Sequence, residues 1–401
     1  MRVAHFTDTY LPRRDGVVTS VQTLDRQLRQ AGHDSLLVVP RHPDVVAEAG
    51  QRLLTLRSVP CGVAGLRLVP WPRQRHVDRV AGWAPDVVHV HTPGPAGLLG
   101  VLTAQRLGLP LVHTYHTDLE AYADAYRVPT RVLRVAVGAC RRRLGTQPVV
   151  FHGTDRRAVL DEGLRLLVGG SDAVVVPTPA VLDRTSLPVA SDRVRVVPTG
   201  VAPAVVTTGA VEDFRRRYRI APGDRVVLAV GRVHAEKGVE LLLEAFTRVR
   251  AAEPRARLVL VGPVYDPVAG PGVVCTGQLA PEQVAAAYAV TQRTGGVLAF
   301  PSQTDTQGLV LQEAAHAGVP AVMTDAELCA RGALAGAALC APPTAEGFAA
   351  AVTALLANPV LVRSLAERAR HAALAHTPAA YAEAMLGVYR EVSRRPVRAA
   401  A

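Results

Sequence analysis

The sequence is poor in cysteine and in aromatic residues. Among its 401 residues there are five cysteines, and aromatic side chains make up 4%. The cysteines are scattered and include no CxxC pair, which argues against a disulfide framework or a structural zinc site and favours a reducing cytoplasm. With so few aromatics, valine, leucine and alanine must fill the hydrophobic cores.

The sequence also lacks a long hydrophobic run. No apolar stretch approaches the ~20 residues that span a bilayer, and Asp8 interrupts the segment where a signal peptide would be apolar. We therefore expect neither export nor a membrane span. Hydrophobic residues at 49% and charged residues at 20% are typical of globular proteins, and the length suits two domains of ~200 residues.

Lysine is almost absent. Of the 45 basic side chains all except Lys237 are arginines, so this position is a candidate for a function that needs a compact ammonium group.

The net charge of +11 indicates anionic partners such as phosphorylated substrates or a membrane surface, or else a merely basic surface. A basic helix expected at residues 130–144 either lies on an anionic membrane or is an ordinary solvated helix. Nucleic acid is not an expected partner, because the sequence shows no aromatic–basic interleaving.

Short runs rich in valine and leucine alternate with longer helical segments along the chain. This pattern is typical of parallel sheets covered on both faces, so we predict an α/β protein with two doubly wound, Rossmann-like domains. The predicted strands are residues 3–8, 35–40, 86–92, 111–117, 173–178, 194–199, 225–231, 256–262, 273–277, 295–301 and 321–324. Segment 200–212, rich in Gly, Pro and Thr, is the predicted boundary, which assigns residues 1–204 to the first domain and 205–378 to the second.

The strongest local signal is the sequence GRVHAEKG at residues 231–238, between a predicted strand and a predicted helix. Arg232 can bind two phosphate oxygens at once, and Lys237 adds a point charge beside the helix N-terminus. Together they would stabilise a diphosphate and the charge that it gains as a leaving group. The alternative is a surface turn that happens to carry two cations.

A second signal, DTQGLVLQE at residues 305–313, follows the predicted strand 295–301. Gly308 would open a helix whose free N–H groups, beginning at Leu309, face a phosphate. Glu313 could accept two hydrogen bonds from a ribose diol, and Asp305 could bind hydroxyls of a sugar attached to the diphosphate. Otherwise Asp305 caps a turn and Glu313 is a solvated helix residue.

The first half of the chain carries weaker candidates. Gly16 follows the first strand and permits close approach of the backbone to a ligand, but no GxGxxG fingerprint is present. His113 and His116 form an HxxH pattern, yet an odd spacing on a strand puts the two rings on opposite faces, which argues against a shared metal. We therefore prefer His116 as the site residue and expect a core role for His113 and for two further histidines, His89 and His91.

With these residues established, the chain resembles retaining glycosyltransferases of the GT-B fold, specifically glycosyltransferase family 4. The motifs that carry the resemblance are FTDTYLPRRDGV (6–17), HTYHTD (113–118), VVVPTPA (174–180), GRVHAEKG (231–238) and PSQTDTQGLVLQEAAHAGVPAV (301–322). It implies a metal-independent enzyme without a cofactor, whose co-substrate is a UDP- or GDP-sugar and whose acceptor is a lipid, a glycan or a small metabolite. It also implies a cytoplasmic enzyme, with possible peripheral contact to the inner face of the membrane through the basic first domain.

The resemblance also implies roles for individual residues. The donor diphosphate and sugar would be held by Arg232, Lys237, Asp305, Gly308 and Leu309, the ribose by Glu313, and the base by Gln278. Gly16 and His116 would meet the donor from the first domain, and residues 379–401 would cross back onto that domain. We assign the acceptor to Tyr10, Asp15, Tyr115 and Asp118, the last of which could equally be a helix cap.

Some features depart from the family pattern. Asp305 and Glu313 form an acidic pair whose first member is usually glutamate in the family. Gln307 stands where the family usually has an aromatic or aliphatic residue. Segment 145–163 is a candidate insertion at the acceptor site. These changes leave two alternatives open. One is a sugar-nucleotide 2-epimerase or a phosphorylase of the same architecture, and the other is an inactive homologue that serves as a partner subunit.

Overall fold

Two parallel β-sheets organise the chain, which confirms the predicted α/β fold class. The computed structural model describes residues 1–60, 67–69, 72–116, 120, 123, 128–147, 155–266 and 268–394. The chain divides into unit 1, made of Met1–Gly200 and Pro378–Ala401, and unit 2, made of Val201–Thr377. The predicted domain limits, after residues 204 and 378, differ from these by a few residues.

Unit 1 contains a sheet whose order, among the described residues, is β3-β2-β1-β6-β7-β8-β9. All neighbouring strands in it are parallel, while β4 and β5 pair separately and antiparallel. In chain order the strands are β1 (Arg2–Phe6), β2 (Asp34–Pro40), β3 (Arg52–Leu56), β4 (Val59–Pro60), β5 (Arg67–Leu68), β6 (Val87–Val90), β7 (Leu111–Thr114), β8 (Ala173–Val176) and β9 (Val194–Val196).

Unit 2 contains the second sheet, in the order β12-β11-β10-β13-β14-β15 among the described residues. Its neighbouring strands are parallel as well. The strands are β10 (Arg225–Val230), β11 (Ala256–Val261), β12 (Val273–Gly277), β13 (Val297–Phe300), β14 (Ala321–Met323) and β15 (Leu339–Cys340). The central strands are buried along their length because helices cover both faces, which is why they are apolar without alternation.

Helices connect the strands and cover the sheets. In chain order they are α1 (Gly16–Gln30), α2 (Gln74–Ala81), α3 (Pro95–Leu107), α4 (Thr130–Leu144), α5 (Arg156–Val168), α6 (Ala180–Arg184), α7 (Thr208–Arg217), α8 (Val239–Ala252), α9 (Pro281–Arg293), α10 (Leu309–His316), α11 (Ala326–Arg331), α12 (Ala345–Ala357), α13 (Pro359–Leu374) and α14 (Pro378–Arg394). The predicted boundary segment 200–212 is only partly a loop. Helix α7 begins inside it, because Thr207 caps the helix and Val211 and Phe214 are buried.

The C-terminal helix α14 belongs to unit 1, on the sheet face that α1 also covers. Its Tyr381 hydroxyl lies 2.9 Å from Ser20 Oγ of α1, and both groups are buried. Further along, the buried Tyr389 hydroxyl lies 2.7 Å from His89 Nδ1. Hydrogen bonds need specific partners, whereas apolar packing does not. These two buried contacts therefore fix the position of the helix along the sheet.

Asp8, which follows β1, connects that strand to α3. Its carboxylate accepts hydrogen bonds from the backbone of Ala96 (2.7 Å) and Gly97 (3.3 Å) and from the Thr92 hydroxyl (2.7 Å). Burial raises the pKa of Asp8, while these hydrogen bonds oppose the rise. The N–H groups of the first helical turn therefore receive a cap from a residue distant in sequence.

Each sheet changes the direction of its strand order at one point. In unit 1 the change lies between β1 and β6, and in unit 2 between β10 and β13. In open α/β sheets, ligands bind beyond the carboxyl ends of the strands at such a point. The loops that follow these four strands are therefore the first places to look for a site.

Among the described helices, none is both long and apolar enough to cross a membrane by itself. Helices α12 and α13 pass the test of length and composition together, but they are bent by 100° where they meet.

Candidate functional site

The loops that follow β10 and β13 lie side by side, because these two strands are neighbours in the sheet. Gly238 makes the close approach of the two loops possible. Its φ is +70°, and a Cβ at this position would lie 2.7 Å from the backbone oxygen of Pro301. Both the conformation and the space therefore require glycine.

Three ion pairs occur among the side chains of these loops, and one of them joins the two loops. Lys237 Nζ lies 2.9 Å and 3.0 Å from the two carboxylate oxygens of Asp305, so the pair links one loop to the other. Within the first loop, Arg232 donates to both oxygens of Glu236 at 2.8 Å. Lys237 Nζ is also 3.6 Å from Glu236. The structure thus places Arg232, Lys237 and Asp305 together in one cluster, in which each cation contacts at least one carboxylate.

The cluster is partly shielded from solvent, with 21% of the Lys237 side chain and 22% of the Asp305 side chain exposed. Burial by itself would raise the pKa of Asp305. The charge of Lys237 and hydrogen bonds from Ser302 and Lys237 outweigh that effect, and the pKa of Asp305 is lowered. The ion pair therefore stabilises unit 2 above the ordinary pKa of aspartate, and this contribution is lost as the pH falls through the lowered pKa.

Helix α10 begins next to this cluster, one residue after Gly308. Gly308 has a φ of +70° and no side chain, so the residue at the N-cap position donates no side-chain cap to the first turn of α10. The leading N–H groups, from Leu309 onward, carry the positive end of the helix dipole. An anion is the natural ligand for such a helix end when cations stand beside it.

Glu313 lies on α10, and its side chain is held by α9. The Tyr288 hydroxyl donates to Glu313 Oε2 at 2.9 Å and also lies 3.2 Å from the carbonyl oxygen of Val310. Burial raises the pKa of Glu313, and the hydrogen bond from Tyr288 opposes that rise. The alternative reading of Glu313 as a solvated helix residue is therefore wrong.

Gln278 lies apart from the charged cluster. It is exposed and follows β12, the edge strand, which is two strands away from β10. It shares the carboxyl edge of the sheet with the cluster, so an extended ligand is needed to reach both.

Unit 1 places the other described candidates after β1, at the start of α1 and after β7. Asp15 caps α1, since its carboxylate accepts from the backbone of Val18 at 3.0 Å and from Arg13 at 2.6 Å, and Gly16 is the first helical residue. The aromatic rings of Tyr10 and Tyr115 pack into hydrophobic cores. Asp118 lies outside the described residues.

His116 is half-buried just after β7, and its ring adjoins buried histidines. Its Nε2 lies 3.2 Å from His91 Nδ1, and His91 Nε2 lies 3.1 Å from His5 Nδ1. As expected, His89, His91 and His113 are buried, each exposing 2% or less of its surface. Burial lowers the pKa of His116 to about 4, and the charge of Asp15 opposes this effect.

Within the described residues, the nitrogens of His5, His89 and His91 are the group close enough together to hold a metal ion, all within 4.8 Å of one another. All the nitrogens of these three rings except His5 Nε2 already make hydrogen bonds. Those of His89 pair with the hydroxyls of Tyr389 and Thr114, both at 2.7 Å, and the other two rings pair with each other. A metal ion would have to replace these contacts, so the group is better described as a buried hydrogen-bonded network.

Sequence reasoning missed Glu236, Tyr288 and His5. Glu236 stands four residues after Arg232, a spacing typical of helical ion pairs, so a local signal for it existed. Tyr288 and Glu313 meet only because α9 packs beside α10, and His5 meets His91 only through the pairing of β1 with β6. No local pattern in the sequence records either contact.

Comparisons with protein families agree with this geometry. Residues 14–205 match the model of "Glycosyltransferase Family 4" and residues 224–358 match "Glycosyl transferases group 1". The chain belongs to glycosyltransferase family 4. It is therefore an enzyme of the glycosyltransferase class, and the resemblance seen in its motifs is confirmed.

Relatives of assigned function span most or all of the chain. A GDP-mannose-dependent alpha-mannosyltransferase of Mycolicibacterium smegmatis is 29% identical over 100% of both chains. An alpha-monoglucosyldiacylglycerol synthase of Streptococcus pneumoniae is 26% identical over 80% of this chain and 70% of its own. Among solved structures, the sucrose-phosphate synthase of Thermosynechococcus elongatus superposes with a TM-score of 0.69 at 21% identity, covering 98% of each chain. The last comparison supports the GT-B fold.

Replacing Lys237 by methionine is expected to raise the pKa of Asp305 above its ordinary value. Without the ammonium group, burial becomes the dominant influence on this carboxylate. A ¹³C NMR titration of the aspartate carboxyl carbons measures the change, and Lys237→Arg, which keeps the charge, should leave the pKa low. An unchanged pKa in Lys237→Met would show that the ion pair does not control Asp305.

Proposed function

We propose that the enzyme transfers a hexose from a nucleoside-diphosphate sugar to a hydroxyl group, with retention of configuration and without a metal ion. The observation that carries this proposal is the cluster of Arg232, Lys237 and Asp305 beside the N-terminus of α10, whose N-cap residue is Gly308. Two cations and a helix dipole at a switch point suit a diphosphate, and a carboxylate among them suits sugar hydroxyls.

In this proposal Arg232 and Lys237 hold the diphosphate oxygens. Both cations are already oriented by carboxylates, Glu236 and Asp305, so little side-chain order has to be created when the donor binds. The N–H groups of Gly308 and Leu309 supply further donors to the phosphate. The same groups stabilise the negative charge that grows on the diphosphate as it leaves, which is the part of the reaction where fixed dipoles contribute most.

Glu313 is proposed to bind the ribose. Tyr288 holds one carboxylate oxygen, Oε2, and within the described residues no protein donor is recorded for Oε1. A ribose diol offers two hydroxyl donors to this carboxylate. Gln278, at the edge of the same sheet, is the proposed contact for the base.

The chemistry follows from these roles. The bond between the sugar C1 and the diphosphate oxygen lengthens, and the sugar acquires the character of an oxocarbenium ion. The acceptor hydroxyl attacks from the face that the diphosphate leaves, and the departing diphosphate oxygen takes its proton, so configuration is retained. Asp305 positions the sugar. Arg232 and Lys237 offset the diphosphate charge, which is the task a divalent cation performs in metal-dependent enzymes.

For the donor we propose GDP-mannose. The relative from Mycolicibacterium smegmatis that carries this donor in its name matches the full length of this chain, and two further relatives, from Mycobacterium tuberculosis and Corynebacterium glutamicum, share that name. UDP-glucose is the competing donor, because the proposed base contact, Gln278, is an exposed amide that offers both donors and an acceptor.

For the acceptor we propose a lipid hydroxyl at the cytoplasmic face of a membrane, held near Tyr10, Asp15, Tyr115 and Asp118. Helix α4 supports this proposal. Val132 and Val135 expose 51% and 70% of their surfaces on a helix with several exposed arginines. Exposed apolar side chains on a basic helix fit the surface of an anionic bilayer.

Binding of GDP is expected to raise the melting temperature without added metal, with UDP, ADP and TDP giving smaller shifts. At about 100 times its dissociation constant, a nucleotide stabilises the folded protein by ~2.7 kcal/mol. Glu313→Ala should reduce the shift, because it removes the proposed ribose contact. The matched control is Glu244→Ala, which removes an exposed carboxylate on α8. The absence of a shift with all four nucleotides would contradict the proposal.

Lys237→Ala is expected to lower the rate of GDP release from GDP-mannose by about 100- to 1,000-fold, since a lost donor to the leaving group costs roughly that factor. The matched control is Arg248→Ala, which removes an exposed cation from α8. Circular dichroism should show both variants folded. A wild-type rate in Lys237→Ala would remove this residue from the diphosphate site.

A further inference from the structure

Tyr265 differs from the other aromatic residues of this protein. Aromatic side chains are scarce, at 4% of the sequence, and every other Phe, Tyr and Trp whose burial the structure describes is buried or half-buried. Tyr265 instead exposes 41% of its surface, and its neighbour Val264 exposes 42%. An exposed aromatic ring on a loop that a rigid sheet positions is a candidate for ligand binding.

The loop that carries Tyr265 follows β11 and is hydrogen-bonded to the loop that follows β10. Val233 and Val264 form a parallel bridge between the two loops. The carbonyl oxygen of Val233 accepts hydrogen bonds from the N–H groups of Tyr265 at 3.0 Å and Asp266 at 3.3 Å. The Asp266 carboxylate in turn accepts from the N–H of Ala235 at 2.9 Å. The backbone of Tyr265 is therefore fixed beside the loop after β10.

The ring of Tyr265 is oriented by the ring of His234. The two ring centroids lie 6.2 Å apart and the ring planes meet at 88°, which is an edge-to-face contact. This geometry is favourable for aromatic pairs. The contact orients the Tyr265 ring without covering it, since the residue stays exposed.

The strand order places Tyr265 between two parts of the candidate site. The charged cluster of Arg232, Lys237 and Asp305 follows β10 and β13, whereas Gln278 follows β12. Strand β11 lies between β10 and β12, and all four strands are parallel, so their carboxyl ends share one edge of the sheet. A nucleotide with its diphosphate at the cluster and its base at Gln278 therefore passes the loop of Tyr265.

The chemistry of a tyrosine ring at this point suits a nucleobase. Every base has a flat π-face that can stack on an aromatic side chain, and such stacks contribute measurably to affinity. A purine offers a larger face than a pyrimidine. The edge of the stacked base is then left for the amide of Gln278, which has both donors and an acceptor.

We propose that Tyr265 is a specificity-determining residue on which the nucleobase of the donor stacks, with a preference for a purine. This inference deepens the proposed function and rests on it, because the diphosphate site determines which end of the ligand reaches Tyr265. The ring adds affinity only through the base. A diphosphate without a base therefore gains nothing from it.

The binding test compares GDP, UDP and inorganic pyrophosphate by calorimetry, without added metal. Tyr265→Ala is expected to weaken GDP binding by about 10-fold, the size of effect typical for the loss of one base–aromatic stack, and to weaken UDP binding less. Tyr265→Phe keeps the ring and should bind GDP like the wild-type protein. The affinity for pyrophosphate should be the same in all three proteins. The matched control is Val360→Ala, which removes an exposed apolar side chain from α13 in the same unit.

NMR of the protein labelled in its tyrosine rings tests the contact directly. The signal of Tyr265 is the one that is missing from Tyr265→Phe. The ring current of the base is expected to move this signal upfield when GDP is added, and pyrophosphate should leave it in place. Because this measurement uses the wild-type protein, it decides the question even where Tyr265→Ala fails to fold.

The outcomes separate this inference from the proposed function. Unchanged GDP affinity in Tyr265→Ala would overturn the inference and leave the diphosphate site intact. An equal loss of GDP and pyrophosphate affinity would overturn it too, because the ring would then act through the loop after β10 and not on the base. Wild-type protein that binds pyrophosphate but neither nucleotide would exclude stacking. Wild-type protein that binds none of the three would contradict the proposed function and this inference with it.

Discussion

The ion pair between Lys237 and Asp305 is the interaction on which the candidate site depends. It joins the loops that follow β10 and β13, so two opposite charges lie in contact at the switch point of the second sheet. The pair can form because Gly238 lets one loop lie against the backbone of the other. It also holds a cation where an anionic group can share it, beside a helix end whose N-cap residue, Gly308, has no side chain. Removing either charge leaves a half-buried partner unbalanced, so structure and proposed chemistry are coupled here.

In the first unit, the switch point contains neutral groups instead of ion pairs. Its switch point is built from histidines whose charge is suppressed by burial, so their order comes from hydrogen bonds rather than from ion pairs. Helix α14 takes part in this arrangement through Tyr389, although it follows unit 2 in the sequence. Helix α14, which follows unit 2 in the sequence, thus forms part of the core of unit 1.

Features that depend on local pattern were predictable from the sequence, and features that depend on packing were not. The runs that became β10 and β13 were identified from their apolar character, and the grouping of Arg232, Lys237 and Asp305 followed from strands that end at one sheet edge. The strand β3 was missed because RLLTL is a short edge strand without a continuous apolar run. Helix α3 has no amphipathic pattern that would reveal it in the sequence, because it is buried on nearly all sides and has no polar face. The contact of Tyr288 with Glu313 depends on which helices lie side by side.

The most direct test of the account is a crystal structure of the enzyme with GDP bound. The account predicts diphosphate oxygens within hydrogen-bond distance of Arg232 and Lys237 and of the first N–H groups of α10, with the ribose on Glu313. It also predicts that Lys237 keeps its contact with Asp305 while it binds phosphate. A nucleotide bound away from the loops after β10 and β13, with the Lys237–Asp305 pair untouched, would contradict the central claim.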